Sequence, residues 1–380
     1  MSNQASITST PFQSLKDLPI PLTESQCILH KHEILICGSR LKNECYSYHT
    51  LKNEYKFICE YPSDITLSGH CVVELIDNNN NKNEITLLSF GGNKNIIRHT
   101  LVMKYVSVWS DDNKMDKSKK LKKSNYYNEW TPLINDYNNP IIIGRDEDDY
   151  VGVRAVIGGS NNNLLFITYP EHNISVFDVN IFQFIKHDTI PTLFSLVSCH
   201  CFVSKSEKGQ EQEMMKTNKK QNKKRNYEML LFCENVGLLI EYNEDNNIFQ
   251  FHQLPVCDSI AILKQYAYVC INGVILFFGG LVDWFENDIV TGSVYKYLIH
   301  ENIWTSFEHN LPIPLHNCFG ILNRNNNDIH IIGGSNDEKS IVSTHIKTKV
   351  SEWRYASQLV IFLLTLFFVI KYKIYLYYIK

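Results

Sequence analysis

Apolar runs alternate along this chain with short clusters of Asn, Gly, Asp and Pro. Runs rich in Ile, Val, Leu, Phe and Tyr predict strands, and the clusters between them predict turns. No part of the body sustains the 3.6-residue apolar period of an amphipathic helix. An all-β chain is expected. It is also internally repetitive. Leu18-Pro19-Ile20-Pro21-Leu22 leads through Ile28-Leu29 to Ile34-Leu35-Ile36-Cys37-Gly38-Ser39. Leu311-Pro312-Ile313-Pro314-Leu315 leads likewise through Ile321-Leu322 to His330-Ile331-Ile332-Gly333-Gly334-Ser335. A shorter version runs from Leu254-Pro255-Val256 to Phe277-Phe278-Gly279-Gly280.

Each unit reads as four short strands, a to d. Strand b ends in a glycine pair or a degenerate form of it: Cys37-Gly38, Gly91-Gly92, Thr168-Tyr169, Cys233-Glu234, Gly279-Gly280 and Gly333-Gly334. Strand c carries a bulky residue: Tyr46 and Tyr48, Tyr105, Phe177, Tyr242, Tyr295 and Tyr297, then Ile346. Strand d opens on another ring, at Tyr55, Trp130, Phe182, Phe249, Trp304 and Trp353. Gly158-Gly159 precedes Asn161-Asn162-Asn163 and another apolar run, so it fits an a–b turn instead. Without the lysine-rich insertions 110–125 and 205–226 the mean repeat is about 52 residues, close to the ~50-residue period of one known repeat class.

An apolar strand ending in Gly-Gly, then a Tyr, then a Trp some six or more residues on, resembles the kelch-repeat β-propellers. Phe277-Phe278-Gly279-Gly280, Tyr295/Tyr297 and Trp304 follow that order best. The resemblance covers roughly residues 11–354 and is specific as a set, although units three and four carry little of it alone. It implies one propeller domain of six four-stranded blades, with seven as the alternative, after a disordered stretch 1–10. The motif residues Gly38, Gly91, Gly92, Gly279, Gly280, Gly333, Gly334, Tyr48, Tyr105, Tyr242, Tyr295, Trp130, Trp304 and Trp353 are then structural. Glycine lets the chain leave strand b in conformations that other residues resist, and the rings fill the wedge between blades. Phe12 to Pro19 resembles Trp304 to Pro312, as if a lone strand d opened the chain. Such a strand commonly clasps the last blade of kelch propellers. Trp353 is expected to open a strand d in unit six already, which would leave the first strand spare.

Charge excludes one class of partner. Lys plus Arg number 37 against 40 Asp plus Glu, so no global basic field exists to bind nucleic acid. Apolar content of 44% is too high for a mainly disordered chain. The eleven cysteines mostly lie inside apolar runs and read as small buried hydrophobes in a reducing compartment. With no apolar stretch in the polar Met1–Pro21 segment, a cytosolic body is expected.

No phosphate loop, dinucleotide fingerprint, nucleophile elbow, HExxH or paired CxxC motif occurs. No catalytic, cofactor-binding or metal residue is selected, and no cofactor is expected. Cys199-His200-Cys201, read as a strand, splits its thiols from its imidazole and suits core packing better than chelation. His30 and His32 are assigned to an exposed turn. Asp146-Glu147-Asp148-Asp149 reads as an acidic patch, and the two lysine-rich insertions as solvated loops. The resemblance implies a non-enzymatic protein-interaction scaffold that presents interblade loops to a protein partner, with no oligomer expected. The alternative is a copper oxidase of the galactose-oxidase-like type. No helical BTB- or F-box-like partner domain is read ahead of the repeat.

Residues 355–380 form an apolar tail. Leu359 to Ile370 hold no charge, and Leu359 to Ile379 span ~31 Å as a helix, enough for a hydrocarbon core. Lys371 and Lys373 lie near one end, among tyrosines that suit a membrane interface. A C-terminal helical membrane anchor is the expectation for 359–379. A buried closing strand and translated intron are the rivals.

Overall fold

The structure, a computed structural model, describes residues 10–353 other than 77–82, 94, 96, 110–126, 193–196, 206–225 and 283–287. The insertion loops and the apolar tail therefore lie outside the described residues, apart from a few flanking positions. Among the described residues the strands form six antiparallel sheets. After β1 (Phe12–Ser14), the first sheet runs β2 (Gln26–His30), β3 (Glu33–Ser39), β4 (Lys42–His49), β5 (Glu54–Glu60). The second runs β6 (Cys71–Leu75), β7 (Glu84–Gly91), β8 (His99–Val106), β9 (Thr131–Pro132). The third holds β10 (Arg154–Gly158), β11 (Leu164–Tyr169), β12 (Asn173–Asp178) and β13 (Gln183–Thr189). The fourth holds β14 (Cys201–Ser204), β15 (Asn226–Cys233), β16 (Val236–Asn243) and β17 (Ile248–Gln253). The fifth carries β18 (Leu263–Lys264) and β19 (Ala267–Ile271), both on β20 (Val274–Val282), then β21 (Ile289–Leu298) and β22 (Ile303–Ser306). The last holds β23 (Phe319–Asn323), β24 (Asp328–Ile332) and β25 (His345–Lys349).

The first strand of each unit is an inner edge. β2 lies beside β6, β6 beside β10 and β10 beside β14, while β19 lies beside β23 and β23 beside β2. This is the all-β architecture of a β-propeller, with almost no helix among the described residues. Its core is distributed: each apolar cluster fills the space between two neighbouring sheets, as where Phe232 and Phe277 meet Tyr297. One sheet alone would leave both faces wet.

The sixth sheet departs from expectation. Its outer strand is β1, with Phe12 opposite Thr348 and Ser14 opposite Ile346. Trp353 opens no strand; it sits in the 3-10 turn Val350–Trp353 and packs its ring on Phe12 at 5.5 Å between centroids. The sequence reading of a spare first strand fails because a Trp can fill the same wedge from a turn.

The repeat glycines do conformational work. Gly38, Gly279 and Gly333 end the b strands at φ +63°, +66° and +62°, and the β20–β21 register shifts between Phe278 and Gly280. A Cβ on Gly279 would overlap the Leu315 carbonyl oxygen. Gly279→Ala should therefore cost ~2 kcal/mol or more, from the left-handed backbone and the clash together. Unchanged thermal unfolding in that variant would contradict the packing. Trp304 lies 4.9 Å from Tyr297 and 5.2 Å from both Phe232 and Phe277, and its Nε1–H donates to Pro255 O at 2.7 Å. Trp304→Ala should cost ~3 kcal/mol as a partly wet cavity, measured by denaturant midpoint.

Candidate functional site

Two residues before each inner strand the chain enters the left-handed region: Glu24, Gly69, Gly152, Cys199, Gln265 and Asn317, at φ between +48° and +78°. These six turns form a ring around one end of the inner strands. Backbone hydrogen bonds link them head to tail. Glu24 N–H donates to Asn317 O (2.9 Å) and Asn317 N–H to Gln265 O (2.8 Å). Cys199 N–H donates to Gly152 O (2.8 Å) and Gly152 N–H to Gly69 O (3.0 Å). Gly69 N–H donates instead to the Glu24 carboxylate at 2.9 Å. The remaining junction, Cys199 to Gln265, has no such bond, and a cavity of about 380 Å³ opens beside it. Its walls include Cys199, His200, Glu234, Lys264, Gln265 and Asp288.

Glycine is required at two of the six turns. A Cβ on Gly69 would lie 2.5 Å from Gly152 N, and one on Gly152 would overlap Ser198 Oγ. Below the ring, side chains of neighbouring units reach the free edges of the inner strands. Cys71 Sγ accepts from Ala155 N–H, and Cys318 Sγ from Ala267 N–H. The Tyr268 hydroxyl accepts from Phe202 N–H, and the Tyr266 hydroxyl from Cys201 N–H while donating to Phe232 O at 2.9 Å. Burial pushes the Cys71 thiol up to about 11 and Cys318 up to about 12, so both stay protonated.

A second cavity, of about 460 Å³, shares Leu281 and Asp288 with the first. Thr23, Glu24, Arg40, Leu41, His316 and Ile341 are among its walls. The two meet on the face formed by the b–c and d–a loops. Leu41 and Ile341 stand on its rim at 71% and 44% exposure. Most charged side chains around it are paired: Arg40 with Glu24 at 3.3 Å, Lys264 with Glu234 at 3.0 Å, Lys339 with Asp288 at 3.2 Å, while Lys42 is exposed on the wall of the second cavity.

Several sequence readings change here. Cys199-His200-Cys201 is not a strand: the chain turns at Cys199, only Cys201 is in β14, and His200 is a buried residue of the ring. The Asp146–Asp149 segment is not a free acidic patch. Its turn wraps Arg145, whose Nη2 meets Asp148 at 2.8 Å, while Arg98 reaches Asp146 and Asn93 bonds Asp149. His30 is not exposed; it is buried edge-on against Tyr105 at 6.0 Å. The motif residues line neither mouth cavity; they lie at or near b-strand ends (Gly38, Gly91, Gly92, Gly279, Gly280, Gly333, Gly334), where Gly280 and Gly334 back onto the cavity residues Lys264 and His316, and in the wedges between sheets (Tyr48, Tyr105, Tyr242, Tyr295, Trp130, Trp304, Trp353). Sequence reasoning missed Gly69, Gly152 and Arg154, and read His200 only as core packing; a glycine two residues ahead of an apolar run was the one signal available, at two of six units. Among the described residues no group of three His, Cys, Asp or Glu side chains is arranged to hold a metal ion.

No protein-family model matches the chain, and no curated protein does. Among solved structures it is similar to that of YjhT, a propeller-type fold, at a TM-score of 0.57 and 12% identity. The match covers 88% of this chain and 97% of that one. The likeness is one of fold.

Proposed function

We propose that the protein is a non-enzymatic interaction scaffold, a closed kelch-type propeller of six blades that docks a protein partner on its ring-mouth face. Six sheets, the β1 clasp and the Gly–Tyr–Trp order support the kelch reading and the blade count. The observation that carries the function is the mouth face itself. Two cavities adjoin there, sharing Leu281 and Asp288 as walls, and the apolar side chains Leu41 and Ile341 project from loops on the rim. Paired charges leave this face without a strong field, which suits a mixed protein surface better than a phosphate backbone.

Photo-crosslinking in native cells tests this. A crosslinker at Ile341 should capture one defined protein, whereas one at Ile181, exposed in a turn at the opposite face, should not. Equal labelling from both positions would reject the assignment. The tail 359–379 is proposed to hold the body at the cytosolic side of a membrane. Among the described residues no helix is long and apolar enough to cross one. Release of full-length protein by carbonate would remove the anchor from the proposal.

A further inference from the structure

Around the mouth, among the described residues, exposed Lys42 and half-buried Arg154 lack an acid, and only Arg154 is withdrawn from open solvent. Arg40, Lys264, Lys339 and Arg145 each meet a carboxylate within 3.3 Å, whereas Arg154, the first residue of β10, meets none among the described residues. Its guanidinium makes one hydrogen bond there, from Nη1 to the neighbouring Val153 O at 2.7 Å. A guanidinium carries five donors, so most of its hydrogen-bonding capacity is unused. Its electrostatic neighbours are Cys199, Tyr268, Cys71 and Glu24, which belong to four other units. Only a side chain near the axis of the ring can face all four. Arg154 is half-buried, as expected of a residue lining an internal channel.

Two further polar groups beside it are unsatisfied. His70 and His200 are buried, and Arg154 disfavours protonation of both. His70 Nε2–H donates to Cys37 O at 2.9 Å. His200 Nε2–H donates to Thr168 Oγ1 at 2.6 Å, since that hydroxyl gives its own proton to Arg154 O. Each imidazole therefore keeps a bare Nδ1 lone pair, buried and without a partner among the described residues. Arg154 cannot shed its charge, and an enclosed charge is normally paired.

We propose that Arg154 is the anchor of a small-oxyanion site in the ring channel, which binds a carboxylate or phosphate group. Bidentate donation to two oxygens is the geometry a guanidinium offers best. This goes beyond partner docking: the site lies inside the ring and can fill whether or not the outer face is occupied.

The test is titration of the full chain with inorganic phosphate, and separately with acetate, at low ionic strength, read by calorimetry. Wild type should bind at least one of the two with one-to-one stoichiometry. Arg154→Gln should weaken that binding at least tenfold, and Arg40→Gln, at the rim, should leave it within twofold. Tighter phosphate than acetate assigns the solute to phosphates, and the reverse to carboxylates. Equal binding by wild type and Arg154→Gln, or no binding by wild type, overturns the site and leaves Arg154 as a water-solvated channel residue. Should Arg154→Gln fail to fold, Arg154→Lys takes its place, with weakened binding expected; unchanged affinity in that variant overturns the bidentate site. Failure of this titration leaves the Ile341 crosslink untouched, so the two proposals fall separately.

Discussion

Removing the first strand should open the ring. Residues 12–22 run along β25: Leu15 N–H donates to His345 O (2.9 Å), Leu18 N–H to Ser343 O (2.9 Å) and Leu22 N–H to Val342 O (3.3 Å). Phe12 is buried between Phe278 and Trp353, at 6.4 and 5.5 Å. Phe12→Ala alone should cost ~3–5 kcal/mol, the usual range for a buried Phe cavity. Deleting residues 1–17 goes further. It strips the clasp and exposes the long edge of β25, an unpaired row of N–H and C=O groups that invites association. The expected result is a soluble monomer for wild type and a higher-order or aggregated species for the deletion, read by light scattering. A monomeric deletion with an unchanged melting temperature would show that the ring closes elsewhere.

The clasp shows what was legible in the sequence. Phe12 to Pro19 could be matched to Trp304 to Pro312 because both are d strands feeding the same Leu-Pro segment. The strand order of each unit was legible for the same reason: glycine at the b-strand end and rings on strands c and d are demands of local packing. Units three and four were faint because Thr168-Tyr169 and Cys233-Glu234 end their b strands without a glycine pair. At the second of these, Glu234 itself takes φ +50°. The mouth was nearly invisible. Its six left-handed turns are filled by Glu, Gly, Gly, Cys, Gln and Asn, a set with no common side chain. What they share is a backbone state, to which four of the six add a backbone hydrogen bond to the preceding unit, and neither leaves a residue signature. Arg154 likewise stands in a run, Arg154-Ala155-Val156-Ile157, that reads only as a strand. Nothing local says that its side chain faces four other units.

Acid should unfold this protein early. Burial, ahead of any charge effect, lowers His70 and His330 to about 4 and His99 to about 3, and holds His200 and His345 well below the ordinary value of 6.5. All five are at most 2% exposed. The folded pKa lies below the unfolded one at each, so the native state keeps these rings neutral while the unfolded chain takes up protons. Stability is thus fully present above pH 6.5 and falls from there down to about 4 for His70 and His330, and about 3 for His99. Each histidine contributes ~1.4 kcal/mol per pH unit within its window. Together the five approach ~7 kcal/mol per unit as an upper bound, against a typical total stability of ~5–15 kcal/mol. The sum is an upper bound because His330 Nδ1 and His345 Nε2 lie 2.9 Å apart and titrate as a pair. Asp328 acts only at the acid end of this range. Burial opposes its charge but Lys349 and Lys347 outweigh that, and its lowered pKa confines its own loss to pH below 3.8. A fluorescence midpoint between pH 5 and 6 is expected, with ΔG rising steeply toward neutrality in denaturant titrations at fixed pH. His99→Gln should flatten that slope by about one proton's worth, because its ring bonds only Ser89 Oγ at 3.2 Å. A midpoint below pH 4, or a slope untouched by the substitution, would mean that the rings reach water more freely than their burial implies.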